Sequence, residues 1–165
     1  MSQESASLDD LRRVYERRLG ELRRVAAAIV GDRELACDVV QDAFVRAARQ
    51  RESFTGRGSL EGWVWQIVVN SARDARARIR RIDGGDDEIG DGPAAPRDDV
   101  ERRQFVRAAV EQLPERQRLV LFLRVYADLD YRAISQAVGI KEGTVAATLN
   151  AAHTRLRELL SEVPR

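Results

Sequence analysis

The sequence predicts an all-α protein: two small helical domains joined by an acidic flexible linker, the C-terminal one a helix-turn-helix. Three observations lead there. The apolar residues are mostly Ala, Leu and Val at helical spacing, with no sustained strand-like alternation. Hydrophobic residues make up 44% of the 165, enough for real cores, whereas 5% aromatic and 33% charged residues suit small helical ones. Charge is also segregated. Residues 1–82 hold 16 basic and 12 acidic groups, residues 101–165 hold 11 and 8, and residues 83–100 hold one arginine and seven acids. The net +1 therefore conceals two mildly basic modules, 1–82 and 101–165, around an acidic spacer.

Along the chain, the opening MSQESAS is polar and expected to fray. Asp32, after Gly31, is a good N-cap for a helix. At about 100° per residue, Ala36, Val40, Ala43, Phe44 and Ala47 share one side of it. Asp38, Gln41 and Asp42 gather on another, with Val45 among them. By spacing, that acidic-amide patch is either a solvated face or a protein-binding spot. The segment Phe54-Thr55-Gly56-Arg57-Gly58-Ser59 reads as a loop whose two glycines let the backbone come close to a ligand.

A long helix is expected from Leu60 to about Ile82, with Leu60, Val64, Ile67, Val68, Ser71, Ala75 and Ile79 inward. Its other stripe runs Trp63, Gln66, Asn70, Arg73, Ala77, Arg80, and Arg76, Arg78, Arg80 and Arg81 crowd its end. An aromatic ring for bases to stack on, amides for base edges and arginines for phosphates are what single-stranded DNA binding uses. Trp65 is assigned to the core; Trp63 can be core or stacking platform. The spacer DGGDDEIGDGPAAPRDDV, residues 83–100, has four glycines, two prolines and scarcely any apolar residue. It buries too little to offset its ordering entropy, so a tether is expected, with a specific contact as the other option.

Beyond the spacer, Tyr131 to Val138 has helical spacing, Gly139 supplies a tight turn, and Ile140 plugs the space between helices. A second helix is expected to open near Gly143–Thr144 with Val145, Leu149, Ala152 and Leu156 on one buried stripe. Such a unit presents its second helix to the DNA major groove.

Catalysis finds no foothold. One histidine and one cysteine give no Cys/His metal cluster, no Gly-rich phosphate loop is present, and no nucleophile–base pair stands out. The chain is therefore expected not to be an enzyme and to need no metal, cofactor or small-molecule substrate. His153 reads as a helix-surface residue and Cys37 as a small helix residue. A single cysteine forms no intrachain disulfide, which fits a reducing cytoplasm. Without a signal pattern or an apolar run near the roughly 18 residues of a membrane span, no membrane insertion is expected.

The wording of the motifs goes further. LPERQR, then DYRAIS, then VGIKEGTV resembles the C-terminal promoter-reading domain of bacterial RNA polymerase sigma factors, in particular the extracytoplasmic-function group. VYERRLGELRRVAAAIVGDRELACDVVQDAFVRAARQ and FTGRGSLEGWVWQIVVNSARDARARIRR resemble the other domain of that group. The resemblance implies a protein that binds RNA polymerase core, directs it to promoters and assists melting, with an anti-sigma factor as a further partner. It carries core-polymerase binding to Asp38, Gln41, Asp42 and Phe44. It carries −10 DNA binding to Phe54, Arg57, Trp63, Gln66, Asn70, Arg73, Arg76 and Arg80. By the same resemblance −35 DNA binding falls to Lys141, Thr144, Ala147, Asn150, Thr154 and Arg155.

The recognition helix departs from the family pattern. Where the family runs like GTVKSRLHRAR, this chain has GTVAATLNAAHTR, keeping only His153 and Arg155 near the edges and Lys141 ahead. Bidentate arginine readout of guanine is absent from the central face; Asn150 can still read adenine, and alanine methyls can meet thymine methyls. An alternative follows: a sigma-like scaffold that binds an anti-sigma factor or polymerase and reads DNA poorly.

Overall fold

The computed structural model describes residues 6–83 and 100–161. Seven α-helices occupy them: α1 Leu8–Val30, α2 Arg33–Arg49, α3 Leu60–Asp83, α4 Val100–Glu111, α5 Glu115–Val125, α6 Tyr131–Val138 and α7 Glu142–Ser161. A single 3-10 turn, Arg51–Ser53, follows α2. No strand occurs among the described residues. The acidic spacer expected over 83–100 falls, at 84–99, outside them.

The helix ends are written in local chemistry. Asp32 caps α2 by accepting from the Leu35 N–H at 2.7 Å, and Asp130 caps α6 by accepting from the Ala133 N–H at 2.7 Å. Gly31 closes α1 at φ 81° and Gly139 closes α6 at φ 74°, both left-handed caps that a β-carbon would disfavour. Of the segment MSQESAS expected to fray, residues 1–5 lie outside the described residues, and Ala6 and Ser7 are ordered against α1. Ser7 accepts from the Asp10 N–H at 3.0 Å as the N-cap of α1, and Ala6 is buried. The second helix of the helix-turn-helix begins at Glu142, slightly ahead of the expected Gly143–Thr144. There the Lys141 carbonyl already accepts from Val145 at 3.0 Å.

In the N-terminal module, Leu22, Val25 and Ala26 of α1 meet Val40, Ala43 and Ala47 of α2 and Val64, Val68 and Ala72 of α3. In the C-terminal module, Val120 and Leu123 of α5, Ile134 and Ala137 of α6, and Val145, Leu149 and Ala152 of α7 are buried together. Each fully buried Val or Leu contributes about 1.5–3 kcal/mol. These side chains belong to one continuous apolar cluster rather than two.

The continuity comes from α3. Its expected inner face is confirmed by Val64, Val68, Ser71 and Ala75, all buried. Gly62, Trp65, Val69 and Ala72 are buried too, so the covered arc spans roughly half the helix. That arc ends at Gly62, where α6 of the C-terminal module lies against α3.

Candidate polymerase and nucleic-acid interfaces

On α2, the inward positions bury Ala36, Val39, Val40, Ala43 and Ala47, and rotation by one residue carries Asp38, Gln41 and Asp42 into solvent. Val45 lies with them at 49% exposure, an apolar spot in an acidic-amide patch. Phe44 sits apart from the trio. It is half-buried and meets Tyr15 of α1 edge-on, ring centroids 4.8 Å apart. Its edge-to-face packing supports the α1–α2 contact on which the patch rests.

The sequence-predicted stripe of α3 runs from the margin of the core, against which Trp63 packs, out into solvent. Asn70, Arg73 and Ala77 are exposed, while Trp63 and Gln66 are half-buried. Trp63 leans on Phe54 from the preceding loop, centroids 5.6 Å apart and planes at 50°, so two aromatic rings share one end of the stripe. Trp65 is fully buried, which separates the roles of the two tryptophans. Arg57 is exposed between Gly56 at φ 70° and Gly58 at φ 83°, the left-handed backbone that brings this loop round to α3.

Ser59 starts α3: its hydroxyl oxygen accepts from the Gly62 N–H at 3.0 Å, and its carbonyl accepts from the Trp63 N–H at 3.1 Å. Arg80 is exposed near the far end of the helix, beside exposed Arg78 and Arg81. Arg76 differs from its neighbours. Half-buried, it donates from Nη1 to the Ile29 carbonyl at 3.1 Å and so helps hold α1 to α3.

In the C-terminal module, Lys141, Thr144, Ala147, Asn150, Thr154 and Arg155 are all exposed, together with Ala151 and His153. Val145, Leu149 and Ala152 are buried beneath them. The face offered to a groove is therefore mainly amide, hydroxyl and methyl. Arg155 is pulled aside toward Glu158, Nη1 to Oε2 3.3 Å.

Three residues at the junction of the modules were not singled out from the sequence: Gly62, Glu115 and Gln136. Gln136 of α6 donates from Nε2 to the Ser59 carbonyl at 3.3 Å, and Arg73 Nε stands 3.8 Å from Glu115 Oε1. Only Gly62 carried a signal, because a glycine inside a helical pattern commonly marks close packing. Among the described residues no helix is long and apolar enough to cross a membrane.

Comparison with known proteins places these surfaces in a family context. Residues 14–82 match Sigma-70 region 2 and residues 104–163 match Sigma-70, region 4. The ECF RNA polymerase sigma factor SigL of Mycobacterium tuberculosis is 31% identical over 160 residues, covering 93% of this chain and 90% of SigL. The ECF RNA polymerase sigma factor EcfG of Rhodopseudomonas palustris is 29% identical over 142 residues, 84% of this chain and 78% of its own length. Among solved structures, the sigma factor RpoE in complex with the anti-sigma factor NepR from Bartonella quintana matches with TM-score 0.74 and 24% identity. It covers 95% of this chain and 100% of that one. CnrH in complex with the cytosolic domain of CnrY matches with TM-score 0.71 and 18% identity over 97% and 93% of the two chains. At those identities the two structures speak for the fold.

Proposed function

The chain belongs to the extracytoplasmic-function group of bacterial RNA polymerase sigma factors, non-enzymatic proteins that bind polymerase core and direct it to promoters, and from that membership we propose how its own surfaces divide the work. Asp38, Gln41 and Asp42, with Val45, hold the core polymerase, and Phe44 supports them from behind. Trp63 and Phe54 receive bases of the melting −10 element, Gln66 and Asn70 read their edges, and Arg57, Arg73 and Arg80 take phosphates. Arg76, tied to Ile29, positions the helix and adds its charge. The boundaries that follow are residues 1–82 for polymerase and −10 DNA, 83–100 for the linker, and 101–165 for −35 DNA.

One observation carries this reading: an aromatic–amide–cation line runs along α3 from the half-buried Trp63 at the margin of the core to exposed Asn70 and Arg73, in the same three-helix module as an exposed acidic patch on α2. Stacking a base on such a ring is worth about 1–3 kcal/mol, comparable to the cost of unstacking it, so a positioned Trp63 tips a weakened duplex toward opening.

The protein works in the cytoplasm, where polymerase and promoters are, and an anti-sigma factor is its proposed regulator; the matched sigma factor RpoE is itself in complex with the anti-sigma factor NepR. The alanine-rich face of α7 favours a second reading, a scaffold that holds polymerase or an anti-sigma factor and reads DNA poorly. In vitro transcription with purified core polymerase on sheared host DNA separates the two. Start sites that depend on this protein support the initiation reading, and stable core binding without transcripts supports the scaffold.

A further inference from the structure

Where α1, α3 and α5 meet, a cleft opens that is rich in cations. Arg73 and Arg76 line it from α3, and Glu115 and Arg118 from α5, each pair three residues apart and so on one side of its helix. Three guanidiniums and one carboxylate give this lining a formal charge of +2. Packing sets the charges in place. Arg118 is only 8% exposed and donates from Nη1 to the Glu111 carbonyl at 3.1 Å; half-buried Arg76 donates from Nη1 to the Ile29 carbonyl at 3.1 Å. A carbonyl holds a guanidinium without cancelling its charge, so both cations are positioned before an anion arrives and little side-chain entropy is lost when it does. Ile29, Leu119 and Phe122 form an apolar back, which lowers the local dielectric and strengthens charge pairing inside. The first turn of α5, which follows Pro114 without a side-chain cap, adds the positive end of that helix.

We propose that this cleft is a binding site for a small dianionic oxyanion, either free phosphate or the terminal phosphate of a phosphorylated metabolite. Size selects the ligand as well as charge. The floor of the cleft encloses about 20 Å³, room for one water-sized atom. One phosphate oxygen fills it beside Arg76 and Arg118, and the others stand in the half-open mouth, where Arg73 meets them. Guanidinium forks match such oxyanions with paired N–H donors, and a doubly charged ligand matches a lining of +2. Glu115 moderates the affinity. Its Oε1 lies 3.8 Å from Arg73 Nε, both side chains are about half exposed, and so loose a pair yields to a dianion. Glu115 and Arg118 lie outside the proposed DNA surfaces, so the site stands whether or not the α3 stripe binds a strand.

The test uses the full chain at constant ionic strength in a buffer without phosphate. Sodium phosphate, adenosine monophosphate and dimethyl phosphate are titrated separately. Binding is read from the thermal midpoint and from the Nε–H NMR signals of Arg73, Arg76 and Arg118. Phosphate should raise the midpoint saturably and move those three signals together. Glu115→Gln should tighten phosphate binding roughly threefold to fivefold, the scale of one half-exposed charge pair, and Arg73→Gln should weaken it by a similar factor. Both positions are half exposed, so both variants should keep the far-UV circular dichroism of the parent. Tighter binding of adenosine monophosphate than of phosphate supports the site and names a phosphorylated metabolite as its ligand; the reverse order supports it and names the free ion. Equal binding of the singly charged dimethyl phosphate overturns the proposal in favour of a nucleic-acid backbone. A midpoint that responds no more to phosphate than to chloride overturns it outright. Saturable binding that leaves the arginine signals and the affinities of both variants unchanged places the anion elsewhere and overturns it too.

Discussion

Arg18 of α1 grips Glu61 in the first turn of α3, with Nε and Nη2 both 2.6 Å from the same carboxylate oxygen. The two side chains are about three-quarters buried, and Arg17 approaches the other oxygen at 3.6 Å. The carboxylate also lies at the positive end of α3, where the helix macrodipole favours it. The pair fixes the start of the helix two residues before Trp63. Glu61→Gln keeps the shape and removes the charge. It is expected to lower unfolding free energy by about 1–3 kcal/mol in urea denaturation, because a charge-assisted bond is lost while Arg18 stays about three-quarters buried.

The acidic patch on α2 is tested by reversing Asp38 and Asp42 to lysine. Both side chains lie off the apolar stripe, so far-UV circular dichroism should be unchanged. Core-polymerase affinity should fall roughly tenfold or more, the scale expected for like charges set against a complementary surface. Undiminished co-purification with core polymerase would remove the patch from the interface.

The two tryptophans should separate cleanly. Trp65→Ala empties a fully buried site and is expected to cost about 3–5 kcal/mol, enough to unfold the module. Trp63→Ala should lower the thermal midpoint far less than Trp65→Ala while the module stays folded, and it should lower permanganate reactivity of thymines near the start site, as should Asn70→Ala. A premelted bubble template should rescue both. Unfolding by Trp63→Ala would return that ring to the core.

The recognition helix offers a gain-of-function test. Ala147 is exposed above buried Val145 and Leu149, so Ala147→Arg costs little packing. In titrations of duplex DNA with the full chain, the slope of log K against log salt should steepen by about one unit. An unaltered slope would mean that this face of α7 does not meet DNA.

At the N-terminus, the Ser7 hydroxyl donates to Asp10 Oδ2 at 2.6 Å, which with Arg13 nearby holds the Asp10 carboxyl below the ordinary aspartate range. The unfolded chain regains the ordinary value and binds more protons between the two. The resulting stabilisation is therefore present above the ordinary carboxylate value and is lost as pH falls through the lower folded one. Carboxyl NMR titration should show Asp10 moving upward in Ser7→Ala.

Local chemistry made most of these elements legible. Asp32, Gly31 and Gly139 announce helix ends because a cap is satisfied by neighbours three or four residues away, and Asp130, not singled out from the sequence, caps α6 in the same way. The spacing of Ala36, Val40, Ala43 and Ala47 placed Asp38, Gln41 and Asp42 in solvent for the same reason. What the pattern could not convey is which helix covers which side of α3. Val69 and Ala72 extend the apolar arc without naming its occupant, and Gln136 on α6 looks like any surface amide until Gly62 is found beneath it. Arg76 is the same case in reverse: an arginine in a basic run, it is committed to a carbonyl 47 residues away.

The turn between α1 and α2 is only Gly31 and Asp32, each fixed as a cap. With Arg18 pinned to Glu61 and Arg76 to Ile29, α2 cannot swing relative to α3 without breaking helix ends. The N-terminal module therefore behaves as a caliper with locked jaws. Whatever grips Asp38 and Asp42 is held at a constant offset from whatever stacks on Trp63, and any adjustment for spacing must come from outside this module.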